Sequence, residues 1–289
     1  MNSIKELIGR YDHLKTQRDN WNSHYQELAD YMLPRKADVV KSRSKGDKRM
    51  ELIFDGTALQ AVDLLSSSLH GLLTSGAAPW FHLDIKEEDF GRDDEVREWL
   101  QDTSMRMLRA FDQSNFGTEV HEMYVDLVVF GTGCMFVEME KDALRFSTRH
   151  ISEFYIQENQ FGMVDTVFRS YKSPVRQVVQ RFGLENVTDY IIKKNQDKPD
   201  EEIEILHVVI PREDRDKTKV DNKNMPFASI YIDMQSSQML SESGFQEFPY
   251  IVPRYLKATG ETMGRSPAMV ALPDVKMLNL MSKTIIQAA

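Results

Sequence analysis

The stretch GRSPAMVALPDVKMLNLMSKTIIQAA, Gly264 to Ala289, decides how the rest of this chain is read. Ser266-Pro267 is a strong helix start, with a hydroxyl at the N-cap and proline at the first helical position. Pro273 removes one backbone donor and crowds the preceding turn, so a kink or a restart is expected there. From Asp274 onward Leu278, Met281, Ile285 and Ala288 can face protein. Lys276, Asn279, Lys283 and Gln287 recur at helical spacing and form a polar, mildly basic stripe along one side. The segment from Pro273 to Ala289 would make a rod of about 25 Å. An ordinary amphipathic surface helix has the same spacing, so periodicity alone assigns no role.

Working outward, the N-terminal part carries Ile4, Leu7, Ile8, Tyr11, Leu14, Trp21, Tyr25, Leu28, Tyr31 and Met32 on one apolar stripe. That spacing predicts a helix from about Ser3 to Leu33, roughly 45 Å long, ended by Pro34. Next, Arg35 to Arg49 holds seven basic residues against Asp38 and Asp47 and has no regular period. It reads first as a solvated flexible loop, with a DNA-facing or membrane-facing arm as the alternative; it has no interleaved aromatics to stack on bases. Asp55 or Thr57 can cap a helix running to about Thr74, with Leu64, Leu65, Leu69, Leu72 and Leu73 as its buried face. Ser66, Ser67, Ser68 and Gly71 would admit a close neighbour helix. Trp80 to Ile85 reads as a strand. Two more helices follow, from Asp93 to about Phe111 and from Thr118 to Phe130, the second stopping at FGTG.

Beyond Gly133 the period shifts toward two. Hairpins are predicted at Cys134–Glu140 with Leu144–Thr148, around Lys141-Asp142, and at Phe154–Glu158 with Met163–Tyr171. Short helices at 174–182 and 187–194 precede strands at Ile203–Ile210, Phe227–Met234 and Tyr250–Tyr255. Helices first and strands later define an α+β chain.

The totals restrict function. The chain has 289 residues, 41% hydrophobic and 28% charged, with a net charge of -9 and one cysteine, Cys134. No internal disulfide is possible, and no run approaches a membrane span. The N-terminus has no apolar signal segment. GDKR at Gly46 is only half a P-loop, and FGTG lacks the third glycine of a dinucleotide fingerprint. His121-Glu122 opens like a zinc-protease helix, but position 125 is Val. Asp84 to Asp89 clusters four carboxylates that could bind Mg²⁺ but that a solvated turn explains more simply. Cys134 fits a core position. No catalytic set, cofactor or metal is expected.

Five pieces in order resemble the head-to-tail connecting, or portal, proteins of short-tailed bacteriophages. They are WNSHYQELADYMLP (Trp21 to Pro34), IFDGTALQAVDLLSSSLHGLLTSGAAPWFHL, FGTG, FPYIVPRY (Phe248 to Tyr255) and GETMGRSPAMVALPDVKMLN (Gly260 to Asn279). The resemblance implies a portal fold: long N-terminal helices, an antiparallel β wing, and the start of a stem helix. Residues 1–265 would be wing and body, and 266–289 the beginning of the stem. Members of that class are considerably longer, with clip, second stem helix, tunnel loop and crown following, so the chain is expected to be an N-terminal part.

The resemblance further implies a non-enzymatic, structural role. Such proteins form a ring, a dodecamer, at one capsid vertex and act as the channel for DNA packaging and ejection. Double-stranded DNA passes non-specifically, terminase docks, and capsid, scaffold and tail proteins are neighbours. The location implied is the virion, after assembly in the host cytoplasm, with no membrane involved. Lys276, Asn279, Lys283 and Gln287 are then the candidate DNA-facing residues. The N-terminal helix and the 52–74 helix are candidates for contacts between subunits. Two other readings stay open: a nucleic-acid-binding adaptor using the 35–49 loop, and a metal-dependent enzyme using the Asp84 to Asp89 acids.

Overall fold

The computed structural model describes residues 3–41, 44, 46–85, 94–140, 143–219 and 221–289. The turn expected at Lys141-Asp142, the acids at 87–89 and the Asp93 helix start lie outside the described residues. Helices and antiparallel sheets are both present, as an α+β chain requires. The order is α1 (Ile4–Met32), a 3-10 turn (Pro34–Lys36), α2 (Thr57–Leu73), α3 (Asp94–Asp112), α4 (Phe116–Phe130), β1 (Met135–Glu140), β2 (Ala143–Thr148), β3 (Phe154–Glu158) and β4 (Val164–Pro174). It continues with α5 (Val175–Phe182), α6 (Asp189–Asp197), β5 (Glu202–Pro211), β6 (Phe227–Asp233), β7 (Gln238–Phe245), β8 (Tyr250–Ile251) and α7 (Pro267–Ala288). The chain forms two compact units, one of Met1–His24 with Ser152–Pro249, the other of Tyr25–Ile151 with Tyr250–Ala289.

In the first unit, five strands form an antiparallel meander in the order β3-β4-β5-β6-β7. The central strand β5 is nearly continuous in apolar residues because both of its faces are covered. On one face Leu7, Tyr11 and Leu14 of α1 pack on Tyr155, Phe168, Leu206, Val208 and Ile230. On the other, Val175, Val178 and Ile191 of α5 and α6 pack on Ile203, Ile205, Tyr231 and Leu240. The one histidine in this core, His207, stacks on Tyr231 with centroids 4.1 Å apart and bonds Ser229 Oγ at 3.0 Å. Arg18 lies 3.8 Å from the Tyr155 ring centroid and donates to the carbonyls of Phe154 and Ser152, so its buried charge is satisfied.

β7 is a strand that the sequence reading missed. Its sequence, QMLSESGF, is mostly polar or small apart from Met239, Phe245 and the core residue Leu240, as suits an edge strand with one covered face. Gly244 is required there by close approach: a Cβ would meet the Asn222 carbonyl and the Met225 side chain.

In the second unit α4 is buried along most of its length and packs against α2. A three-stranded sheet in the order β2-β1-β8 lies with it. Three expectations change here. Residues 80–85 form no strand: Leu83 N–H donates to Ser104 Oγ at 2.9 Å, and the Trp80 and Phe81 rings join Phe111 in an aromatic cluster. The strand expected at 250–255 shrinks to Tyr250–Ile251, because Pro253 has no donor for a ladder. The buried face of α2 is Ala58, Val62 and Ser66, whereas Leu64 and Leu72 are 72% and 83% exposed. Small residues permit the close α2–α4 contact, which leaves Leu64, Leu72 and Leu73 in solvent, while Leu65 is half-buried and Leu69 packs against the α4 cluster as expected. The cap of α2 is Gly56, with Asp55 Oδ1 accepting from Thr57 N–H at 3.0 Å.

Phe168 is fully buried under α1. Truncation to alanine should therefore lower unfolding stability by about 3–5 kcal/mol, read from the urea midpoint.

Candidate functional site

Three of the quoted sequence pieces meet at the start of α7. The α4 helix ends at Gly131 in the left-handed region (φ 77°), its N–H donating to Leu127 O at 3.0 Å. Gly131 O then accepts from Tyr255 N–H at 2.9 Å, and Gly133 N–H donates to Pro253 O at 3.1 Å. Thr132 Oγ1 accepts from Gly264 N–H at 2.8 Å, and Leu256 and Arg265 exchange two backbone bonds. Ser266, buried, accepts from Met269 N–H at 3.1 Å and donates its hydroxyl to Val129 O at 2.8 Å. The N-cap of α7 is thus also a bolt to the last turn of α4. Gly131 and Gly264 approach so closely that a Cβ on either would collide with the other's carbonyl. FGTG, PYIVPRY and GRSP are one structural knot.

From this root α7 runs unbroken to Ala288 with Pro273 inside it, so no restart occurs. Pro273 is exposed, and one lost bond is tolerated in a helix of 22 residues. The polar stripe is placed as follows. Lys276 Nζ bonds Glu27 Oε1 at 2.5 Å, and that hydrogen bond raises the ammonium pKa above its usual range. Asn279 is 8% exposed. Its Oδ1 accepts from Phe54 N–H at 2.7 Å and Asp55 N–H at 3.2 Å, and its Nδ2 donates to Leu52 O at 2.8 Å. Lys283 Nζ stands 5.3 Å from the Phe54 ring centroid. Gln287 is exposed. Three of the four side chains therefore face the chain's own 27 and 52–55 positions. By contrast, Leu278, Met281 and Ile285, expected against protein, are solvent-facing within the chain, as are Val270, Leu280 and Ile286.

The basic segment also differs from a free arm. Gln26, buried in α1, accepts the backbone N–H groups of Val39, Val40 and Lys41 and donates to Ala37 O and Asp30. Arg35 pairs with Glu122, Lys36 with Glu122 and Asp126, Lys41 with Asp30, and Arg49 with Asp38. Four of its seven basic side chains are thus neutralised inside the chain. Arg43 and Lys45 lie outside the described residues. Gln26 carried no sequence signal, because a lone glutamine in a helix has no period. Burial pushes the Asp126 carboxyl above its usual range, against the pull of Lys36 at 2.6 Å. Burial also pushes Glu122 upward, but its bonds to Arg35 and Lys36 prevail and hold it below the usual range. Cys134 is fully buried. Among the described residues no group of three or more His, Cys, Asp or Glu could hold a metal ion, and no helix is long and apolar enough to cross a membrane.

Residues 4–289 match the family model described as bacteriophage head to tail connecting protein, and the chain belongs to that family. It is 35% identical over 286 residues to the portal protein of Salmonella phage epsilon15, covering 96% of this chain and 51% of that protein. It is 33% identical over 279 residues to a protein named "Probable portal protein" from Bordetella phage BPP-1, covering 95% of this chain and 50% of that protein. The chain spans about half the length of the curated relatives it matches.

Two tests follow from this geometry. Gly131→Ala should cost about 2–4 kcal/mol, from the left-handed φ and the collision together, and Gly264→Ala should cost nearly as much from the collision alone. Gly260→Ala, at φ 84° in open space, should cost only about 1 kcal/mol in the same denaturation series. Separately, Lys36→Ala removes the ion-pair partner of buried Asp126 and should cost about 3–5 kcal/mol at pH 7. An acid whose folded pKa is raised takes up its proton first in the folded state, and the neutral carboxyl needs no counter-charge. The deficit against the parent should therefore shrink as pH falls from neutrality toward the ordinary carboxylate range.

Proposed function

We propose that this chain supplies the wing and the root of the stem in a portal ring, with residues 1–265 as wing and body and 266–289 as the beginning of the stem. The ring, a dodecamer at one capsid vertex of the virion, is the passive channel through which double-stranded DNA is packaged and ejected. It carries no catalysis. Terminase docks on it during packaging, tail proteins afterwards, and capsid and scaffold proteins surround it while it assembles in the host cytoplasm. The observation that carries this reading is the family match across residues 4–289, whose separate motifs meet in one knot at the base of a long helix.

The physical chemistry supports it. A channel for any sequence must not read bases, and each tight phosphate contact would retard sliding DNA. The net charge of -9 and the internal pairing of the basic segment suit weak contact. The uncovered apolar side of α7 and the exposed Leu64 and Leu72 of α2 suit burial between neighbouring copies, whose head-to-tail contacts close into a ring when the rotation is right. Of the four candidate DNA-facing residues, Lys276, Lys283 and Gln287 keep that role in this reading. Asn279 acts as the latch that aligns them, since its amide is committed to the 52–55 backbone.

Negative-stain images of the full-length product should show rings with a central hole; discrete monomers at high concentration would remove the ring. In assembled particles, replacing both Lys276 and Lys283 by Glu should lower the DNA content severalfold while rings still form. Unchanged DNA content with intact rings would remove these lysines from the channel.

A further inference from the structure

His70 of α2 and His121 of α4 face each other across the contact between these two helices, with ring centroids 5.6 Å apart and planes inclined at 40°. They come from separate helices and from sequence pieces that showed no ligand spacing. Their meeting follows from the small residues on α2. Ser66, one turn before His70, is completely buried, and its hydroxyl bonds Val62 O at 2.7 Å, which lets α4 approach closely. Both imidazoles are half-buried, and no described residue hydrogen-bonds either ring. Tyr124, one turn along α4 from His121, lies 6.2 Å from the His70 ring, and its hydroxyl is 3.3 Å from Thr74 Oγ1.

We propose that His70 and His121 form a two-histidine site for a borderline-soft divalent ion such as Zn²⁺, joining α2 to α4. The geometry fits a chelate. A metal about 2.0–2.1 Å from an imidazole nitrogen lies roughly 3.2 Å from the ring centroid. Two such rings at a tetrahedral angle have centroids about 5.2 Å apart, and about 5.5 Å when the angle opens to roughly 120°. Partial exposure leaves room for water to complete the coordination, and a nitrogen-only donor pair selects Zn²⁺, Ni²⁺ or Cu²⁺ over Mg²⁺ or Ca²⁺. Bound metal would pin α2 to α4, the helix whose last turn is bolted to Ser266, and so stiffen the base of α7. The site stands on the α2–α4 contact alone and does not depend on the ring or on DNA.

The test uses the 289-residue chain with Zn²⁺ as probe and Mg²⁺ as control. Calorimetric titration should find one saturable Zn²⁺ site, and Zn²⁺ should raise the melting temperature by several degrees, as a ligand of the folded state must. Mg²⁺ should do neither. His70→Gln and His121→Gln should each weaken Zn²⁺ binding by about tenfold or more, whereas His13→Gln, on the exposed side of α1, should bind as the parent does. In the unmutated chain, Zn²⁺ should shift the imidazole NMR resonances of His70 and His121 and leave those of His13 and His82 in place, a readout that needs no variant to fold. No saturable site in the parent, equal binding by both variants, or shifts confined to other histidines would overturn the proposal.

Discussion

The close approach of two backbones, at Gly131 and Gly264, is the constraint on which the second unit depends. Neither position admits a Cβ, because the other's carbonyl occupies the space. That contact brings Thr132 to the Gly264 N–H and Ser266 to the Val129 carbonyl, so the end of one helix and the start of another share their capping groups. The Val129 carbonyl at the end of α4 and the Met269 N–H at the start of α7 are thereby both satisfied by one hydroxyl, that of Ser266. The start of α7 is fixed within this unit by these hydrogen bonds.

The sides of α7 follow from the cost of burying polar groups. An asparagine amide is tolerated at 8% exposure only where it is hydrogen-bonded, and the 52–55 backbone meets three of its four possible bonds, with two donors and one acceptor. The apolar side chains on the opposite side have no such need and stand in solvent, at 80% for Val270 and 63% for Leu280. A helix that buries Asn279 while leaving Val270, Leu280, Ile285 and Ile286 in solvent is poorly suited to a monomer and well suited to a packed assembly. The charged segment after α1 obeys the same rule. Lys36 and Asp126 are both largely removed from water and are kept by each other, and Gln26 holds the adjoining turn by its backbone.

Much of the local structure was legible in the residues. The stripe from Ile4 to Met32, the Pro34 stop, the glycine at the end of α4, both β-hairpins and the Ser266-Pro267 cap were all readable from period and capping chemistry. The errors share one cause. A strand at 80–85 needs a partner, and the aromatic residues there found α3 instead. β7 has only Leu240 in the core among mostly polar or small residues, too weak a period to mark a strand until β6 offers an edge. The leucines of α2 look like one buried face to any periodic count, yet only Leu69 packs on the α4 cluster, and the buried residues are Ala58, Val62 and Ser66.

Sequence by itself determined where most helices and hairpins begin and end, the α+β order, that its single cysteine can form no internal disulfide, and the family to which the chain belongs. These depend on interactions within a few residues, or on motifs kept in order along the chain. Only the tertiary structure decided that FGTG, PYIVPRY and GRSP form one knot, that the basic segment is mostly paired, that Asn279 points inward, and that His70 meets His121. Each of these joins residues far apart in the chain, and a one-dimensional pattern carries no record of which surfaces will be brought into contact.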